Sequence, residues 1–142
     1  MNRWLSAAVA AVALALCTPL HAAGAHDHHH AHHQALDVAA WPAPPKLSIK
    51  LHRDAASGWN LQLITENFRF APEHVNQASV PGEGHAHVYV DGRKLSRLYG
   101  HWYHLTGIGE GVHTVRVSLN ANDHSELVLE GVPVGDEVVI GE

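Results

Sequence analysis

The sequence predicts an all-β protein, built as an antiparallel sandwich of seven or eight short strands. Three observations support this prediction. Apolar and polar residues alternate with the period of two that a strand imposes. Clusters of Gly, Pro, Asn and Asp separate the alternating runs. Beyond residue 45, no stretch shows the apolar periodicity of a helix of ordinary length.

The first predicted strands lie between residues 46 and 70. The run 46–52 alternates through Leu47, Ile49 and Leu51. A second run extends over 59–70, but its two closing phenylalanines are out of phase with its opening apolar residues. A bend or bulge at 65–67 would return them to the core. Residues 71–84 contain two prolines and two glycines and are predicted to form a loop.

The later strands follow at short intervals. The clearest is 85–90, and the Asp91-Gly92 pair after it is a strong hairpin signal that leads into 94–99. Closely spaced short strands of this kind are typical of immunoglobulin-like or cupredoxin-like sandwiches. Four further short runs complete the predicted set: 101–105, 112–119, 127–129 and 137–140.

The first 25 residues have the features of a secretory signal peptide. Arg3 supplies the positive start, and residues 5–16 are apolar, fewer than the about 20 that a spanning helix needs. The small residues 22–25 predict cleavage before His26, with cleavage after Ala22 or Ala23 left open. We therefore expect a periplasmic or secreted protein with no membrane span once the signal is removed.

Residues 26–45 are predicted to be a disordered tail and linker ahead of a sandwich domain over 46–142. Segment 34–40 is expected to form a weak helix at most, and Trp41-Pro42-Ala43-Pro44-Pro45 opposes both helix and central strand. The histidine content of the tail indicates metal binding, because imidazole is the commonest side-chain ligand of borderline transition metals. A tail that only increases solubility is the alternative. Six of its residues are candidate ligands: His26, His28, His29, His30, His32 and His33.

Charge and sulfur content narrow the possible functions. The formal net charge is −5, and loss of Arg3 with the signal would make it more negative, which argues against nucleic acid as a partner. The only cysteine, Cys17, and the only methionine, Met1, would leave with the signal. The remaining nitrogen and oxygen donors suit divalent transition metals, with copper(II) or zinc(II) expected first and nickel(II) possible.

Eight of the fifteen histidines lie in the predicted domain. His85 and His87 are two residues apart on a strand, so their side chains share a face roughly 6.5–7 Å apart along it. We predict that His85, His87 and His104 bind a metal, with His124 as a fourth ligand or a supporting group and Asp123 orienting one ring. An ordinary polar and aromatic sheet face is the alternative. Three others are expected to be structural or exposed: His52, His74 and His113.

The segment from Gly84 to Gly92, read as Gly-His-Ala-His-Val-Tyr-Val-Asp-Gly, resembles a strand and hairpin found in small exported bacterial immunoglobulin-like domains. A Gly-x-His-Thr-Val strand entry at 111–115 and the Asp-His turn at 123–124 extend the resemblance over roughly 59–140. The resemblance implies an immunoglobulin-like sandwich in which His85, His87 and His124 form one group. It assigns no activity. In that group the residue before the Trp at the position of Trp102 is often Pro. In this sequence it is His101, so both a metal-ligand role and a surface position stay open for His101.

These features predict an exported, non-enzymatic metal-binding protein that serves metal storage, delivery or tolerance. The first alternative is an interaction or adhesion module whose histidine-rich sheet face contacts another envelope protein. A copper or zinc enzyme is the least favoured reading, because the sequence offers neither a nucleophile motif nor a candidate general base.

Overall fold

A computed structural model describes residues 34–141, and these residues form the predicted all-β sandwich. Eight of the strands in this region have four residues or more, and one single-turn 3₁₀ helix interrupts them at Pro72–His74. No helix between residues 34 and 141 has the length and apolar character needed to cross a bilayer.

The strands are β1 (Ala35–Asp37), β2 (Lys46–Arg53), β3 (Trp59–Glu66), β4 (Arg69–Phe70), β5 (Glu83–Val90), β6 (Arg93–Leu98), β7 (Trp102–Leu105), β8 (His113–Asn120), β9 (Glu126–Leu129), β10 (Val132–Pro133) and β11 (Gly135–Ile140).

The strands form two sheets. The smaller sheet has the order β2-β3-β7 and is antiparallel throughout. The larger sheet has the order β1-β9-β8-β5-β4, with β6 paired to β5, β10 to β9 and β11 to β8. Most of its pairings are antiparallel, but two short ones, β1 with β9 and β4 with β5, are parallel. Strand β5 is therefore central, with β8 on one side and β4 and β6 on the other.

The hydrophobic core lies between the two sheets. Leu61 and Leu63 of β3 are buried, as are Val115 and Val117 of β8. Burial of such aliphatic side chains is the main source of stability in a domain of this size. The strand period explains why Leu61 and Leu63, two residues apart on β3, face the core together.

Strand β11 closes one side of the sandwich. It pairs with β8 in the larger sheet, and the Asp136 carboxylate accepts a hydrogen bond of 2.8 Å from the backbone N–H of Ile49 in β2. A side chain therefore satisfies a donor at the edge of the smaller sheet, where no neighbouring strand of that sheet follows.

The bend expected at 65–67 is confirmed. Strand β3 ends at Glu66, Asn67 adopts a left-handed backbone with φ of 55°, and β4 follows at Arg69–Phe70. Phe68 and Phe70 pack edge to face with ring centroids 5.5 Å apart, and both contact the core.

Regular structure is found ahead of the predicted domain boundary at residue 46. Ala35–Asp37 form a strand, not the weak helix that the sequence suggested, and Leu36 pairs with Leu127 of β9. Val38 is fully buried in the core. The predicted disorder of 26–45 is therefore wrong for the part from residue 35 onward. The predicted signal peptide and residues 26–33 lie outside the described residues.

The hairpin between β5 and β6 is held to the start of β8 by Asp91. One carboxylate oxygen accepts from the Thr114 N–H at 2.9 Å, and the other lies 2.7 Å from Nδ1 of His113. The hydrogen bond to Asp91 raises the pKa of His113, and the same bond is the main reason why the pKa of Asp91 is lowered. His113 is thus a structural residue, as expected.

This pair predicts a pH-dependent contribution to stability. Because the pKa of His113 is raised on folding, its bond to Asp91 stabilises the fold fully below the unfolded histidine pKa of about 6.5, and this contribution is lost as the pH rises through the folded pKa. Because the pKa of Asp91 is lowered on folding, its contribution is present above the unfolded aspartate pKa of about 3.9 and is lost as the pH falls through the folded pKa. We expect His113→Gln to lower the free energy of unfolding more at about pH 5.5 than at about pH 8.5, in urea titrations. The control is His52→Gln, because His52 contacts the neutral Gln62. Equal losses at both pH values for His113→Gln would contradict this prediction.

Candidate metal centre

Strand β5 is buried on both of its faces. Ala86 and Val88 point into the core, so the alternation of the strand places His85 and His87 on the opposite face of the larger sheet. Both histidines are nevertheless 0% exposed. Ser118 and Asn120 of β8 lie in register with His87 and His85, and they too are buried. The outer face of this sheet therefore carries a buried polar layer at β5 and β8.

Three histidines come together in this layer. One ring nitrogen of each of His85, His87 and His124 lies within 4.8 Å of the others. Nε2 of His85 is 3.1 Å from Nε2 of His87. Nitrogens bound about 2.0–2.1 Å from one metal ion, at angles of about 90–110°, are about 2.8–3.4 Å apart. The first pair is therefore already at the separation of two ligands of one ion, and the cluster could hold a metal.

A polar turn brings His124 to the cluster. The turn 121–125 follows β8, and the Asn120 side-chain amide donates to the His124 carbonyl oxygen at 3.3 Å. The His124 ring centroid lies 5.0 Å from that of His85. His124 has a φ of 73°, in the left-handed region that costs a non-glycine residue free energy. The surrounding structure thus holds His124 in an unfavourable backbone conformation at the point where its ring meets β5.

Asn76 fixes the orientation of the His124 ring. Its side-chain oxygen accepts a hydrogen bond from Nε2–H of His124 at 2.6 Å. Asn76 also has a positive φ, of 64°, and its N–H donates to the Asn122 carbonyl at 2.9 Å. A histidine that binds a metal through one nitrogen usually donates its other N–H to a fixed acceptor. Asn76 has this position.

Positive charge lies beside the cluster. The ammonium of Lys94 donates to Nε2 of His87 at 2.9 Å. Burial of the ammonium lowers the pKa of Lys94, and the charge of Arg97 lowers it further. Arg97 is the register partner of His87 on β6 and donates to the Tyr99 hydroxyl at 3.3 Å. The Tyr99 ring in turn packs 5.6 Å from that of His85.

His104, predicted as a ligand with His85 and His87, is not part of this group. It lies on β7 in the smaller sheet and is exposed, and its Nδ1 contacts the Asn60 side-chain oxygen at 2.9 Å. His124, predicted as a fourth or supporting residue, takes the third place instead. The reason is topological, because β7 follows β6 in the chain but belongs to the other sheet.

The other sequence candidates have separate roles. Asp123, expected to orient a ring, accepts from the Ser125 N–H at 3.0 Å and so stabilises the turn. Nδ1 of His101 donates to the Leu63 carbonyl at 3.2 Å, away from the cluster. His74 contacts Glu83 at 2.6 Å. Six predicted ligands lie outside the described residues: His26, His28, His29, His30, His32 and His33.

The sequence analysis did not identify Asn76 as a partner of His124, nor the contact between Lys94 and His87. Asn76 lies in a predicted loop, where no periodic signal exists. A two-residue Asp-Gly turn indicates that Lys94 pairs with Tyr89, as it does. A bulge at Leu95 then moves the pairing of β6 with β5 by one residue. As a result, His87 pairs with Arg97 and not with the residue before it.

Comparison of the chain with protein-family models, curated proteins and solved structures found no match. The resemblance to exported immunoglobulin-like domains therefore stays a prediction.

Gly84, directly before His85, lets β5 approach β8. A Cβ on Gly84 would collide with the Asn120 carbonyl oxygen, which is backbone and cannot move without shifting β8. We expect Gly84→Ala to lower the free energy of unfolding by about 1–3 kcal/mol in urea titrations. Gly100→Ala is the control, because a Cβ there meets no atom within 4 Å. Equal stability of the two variants would contradict this role for Gly84.

Proposed function

We propose that this chain is an exported, non-enzymatic protein that binds a divalent transition metal in the cluster of His85, His87 and His124. The observation that carries the proposal is the 3.1 Å separation of the His85 and His87 Nε2 atoms in a fully buried layer. This contact brings two imidazole nitrogens, on one face of one strand, to the spacing that two ligands of a single ion have. Movement of His124 by roughly 1–2 Å would complete a three-nitrogen site.

The donor set suits copper(II) or zinc(II), with nickel(II) as a third candidate. Three imidazole nitrogens and an open position are compatible with each of these ions. Ions that require sulfur ligands fit poorly, because a chain cut at the predicted signal site has neither Cys nor Met. Storage, delivery or tolerance of the metal outside the cytoplasm is the biological role that agrees with the predicted signal peptide.

The histidine-rich tail is proposed to collect ions for the cluster. Its point of attachment supports this, because the Gln34 carbonyl accepts from the Glu126 N–H at 2.9 Å, two residues beyond His124. The six imidazoles of the tail belong to the same chain as the cluster, so their effective concentration at the cluster exceeds that of a free chelator.

The test separates the tail from the domain within the full chain. In a tail variant, Asn replaces the six histidines at 26, 28, 29, 30, 32 and 33. Isothermal titration with copper(II) or zinc(II) is expected to find one strong site in this protein. Adding His124→Gln should remove that site, and adding Asn76→Ala should weaken it about 10-fold to 100-fold, because Asn76 orients the ring.

His104→Gln, in the same tail variant, is the matched control and should leave the isotherm unchanged. Circular dichroism checks that each variant folds. His124 and Asn76 are suited to the test because neither is fully buried. Equal affinity of the tail variant with and without His124→Gln would refute the cluster as a metal site.

A further inference from the structure

Lys94 shares the face of the larger sheet that carries the three-histidine cluster. It pairs with Tyr89, which follows His87 by two residues on β5, and register partners of an antiparallel pair lie on one face. Without the bulge in β6, Leu95 would be the residue opposite Tyr89. The backbone pairing of β6 therefore directs the Lys94 side chain to the cluster.

The contact of Lys94 with the cluster uses a lone pair. The ammonium nitrogen lies 2.9 Å from Nε2 of His87. A lysine ammonium has three N–H donors and no acceptor, so Nε2 of His87 is the acceptor in this contact. The same Nε2 atom lies 3.1 Å from Nε2 of His85, at the spacing of two ligands of one ion. The lone pair that a metal ion would need is thus the one to which Lys94 donates.

An ammonium group and a metal ion cannot share that lone pair. A metal ion binds an imidazole nitrogen at about 2.0–2.1 Å, in the direction from which a hydrogen-bond donor approaches. Repulsion between the two cations adds to the steric conflict, because the contact between Lys94 and His87 is partly buried. Lys94 as a whole is an exposed residue, so its flexible four-carbon chain can carry the ammonium back into water.

We propose that Lys94 is an internal competitor for the metal, because its ammonium must leave the His87 lone pair before an ion can bind there. This inference rests on the proposed function and names a residue that sets the affinity of that site. The ammonium competes with every ion for one lone pair, so it lowers the affinity for each ion by a similar factor. Ions that bind imidazole strongly, such as copper(II), nickel(II) and zinc(II), overcome this competition, whereas magnesium and calcium ions, which take oxygen ligands, do not.

The test compares Lys94→Gln with its parent, the full-chain tail variant in which Asn replaces the six tail histidines. Glutamine removes the positive charge from the His87 lone pair. Isothermal titration should show copper(II) and zinc(II) each binding about 3-fold to 10-fold more tightly, because the metal no longer has to break a partly exposed, charge-assisted hydrogen bond. Lys94→Arg keeps the charge and the N–H donors, and it should bind both ions less tightly than Lys94→Gln does.

Arg93→Gln is the matched control and should leave both affinities unchanged. It removes one positive charge from the neighbouring position of β6, where the alternation of the strand directs Arg93 and Lys94 to opposite faces. Circular dichroism checks that each variant folds. A gain in affinity is an informative result, because damage to the site would lower the affinity instead.

The outcomes separate this inference from the proposed function. If His124→Gln leaves the copper isotherm of the tail variant unchanged, the cluster is not the metal site and both proposals fail. If the cluster binds copper but Lys94→Gln has the affinity of its parent, only the inference is overturned. Weaker binding by Lys94→Gln would overturn it as well, because the lysine would then support the site and not compete with the metal.

Two further results would count against Lys94 as a competitor. Equal gains in Lys94→Gln and Arg93→Gln would attribute the effect to net charge and overturn the inference. A gain for only one of the two ions would also overturn it, since a group that competes for one lone pair acts on both.

Discussion

The alternation of side chains along β5 is the constraint on which the rest of the site depends. Ala86 and Val88 are committed to the core between the sheets. His85 and His87 must therefore share the other face, and the pairing of β5 with β8 fixes their distance from Asn120 and from the turn that follows. A shift of register by one residue would place the imidazoles in the hydrophobic core and the aliphatic residues outside. The register that builds the sandwich therefore also fixes the positions of His85 and His87.

Much of the fold and part of the site could be predicted from the sequence. Strand periodicity is a local signal, so the runs around β2, β3, β5 and β8 are visible without knowledge of the tertiary structure. Assignment of a strand to one sheet or the other is not local. For this reason the sequence grouped His104 with His85, although β7 lies in the other sheet. Strand β1 was missed because three residues carry too little periodicity, and its parallel partner β9 is about ninety residues away in sequence.

The supporting residues depend on features that a pattern search does not detect. Asn76 and His124 belong to different loops, and both hold left-handed backbone conformations. Such conformations are rare outside glycine and are retained where the surrounding structure compensates their cost. Here two irregular segments meet over a regular sheet, and the hydrogen bond between Asn76 and His124 joins them. The regular part of the domain supplies two imidazoles, and the irregular part supplies the third together with its acceptor.

The Asp136 carboxylate at the edge of β2 affects how copies of this protein behave toward one another. An open strand edge is a template on which a second chain can add its own strand, which leads to aggregation. In this domain the Ile49 N–H is already bonded to a charged side chain, and β11 lies alongside. An incoming strand would have to displace that carboxylate and leave it without its partner. Closure of the sandwich by a side chain therefore also protects the domain against polymerisation at this edge, an advantage for any protein whose surface histidines could be cross-linked by metal ions.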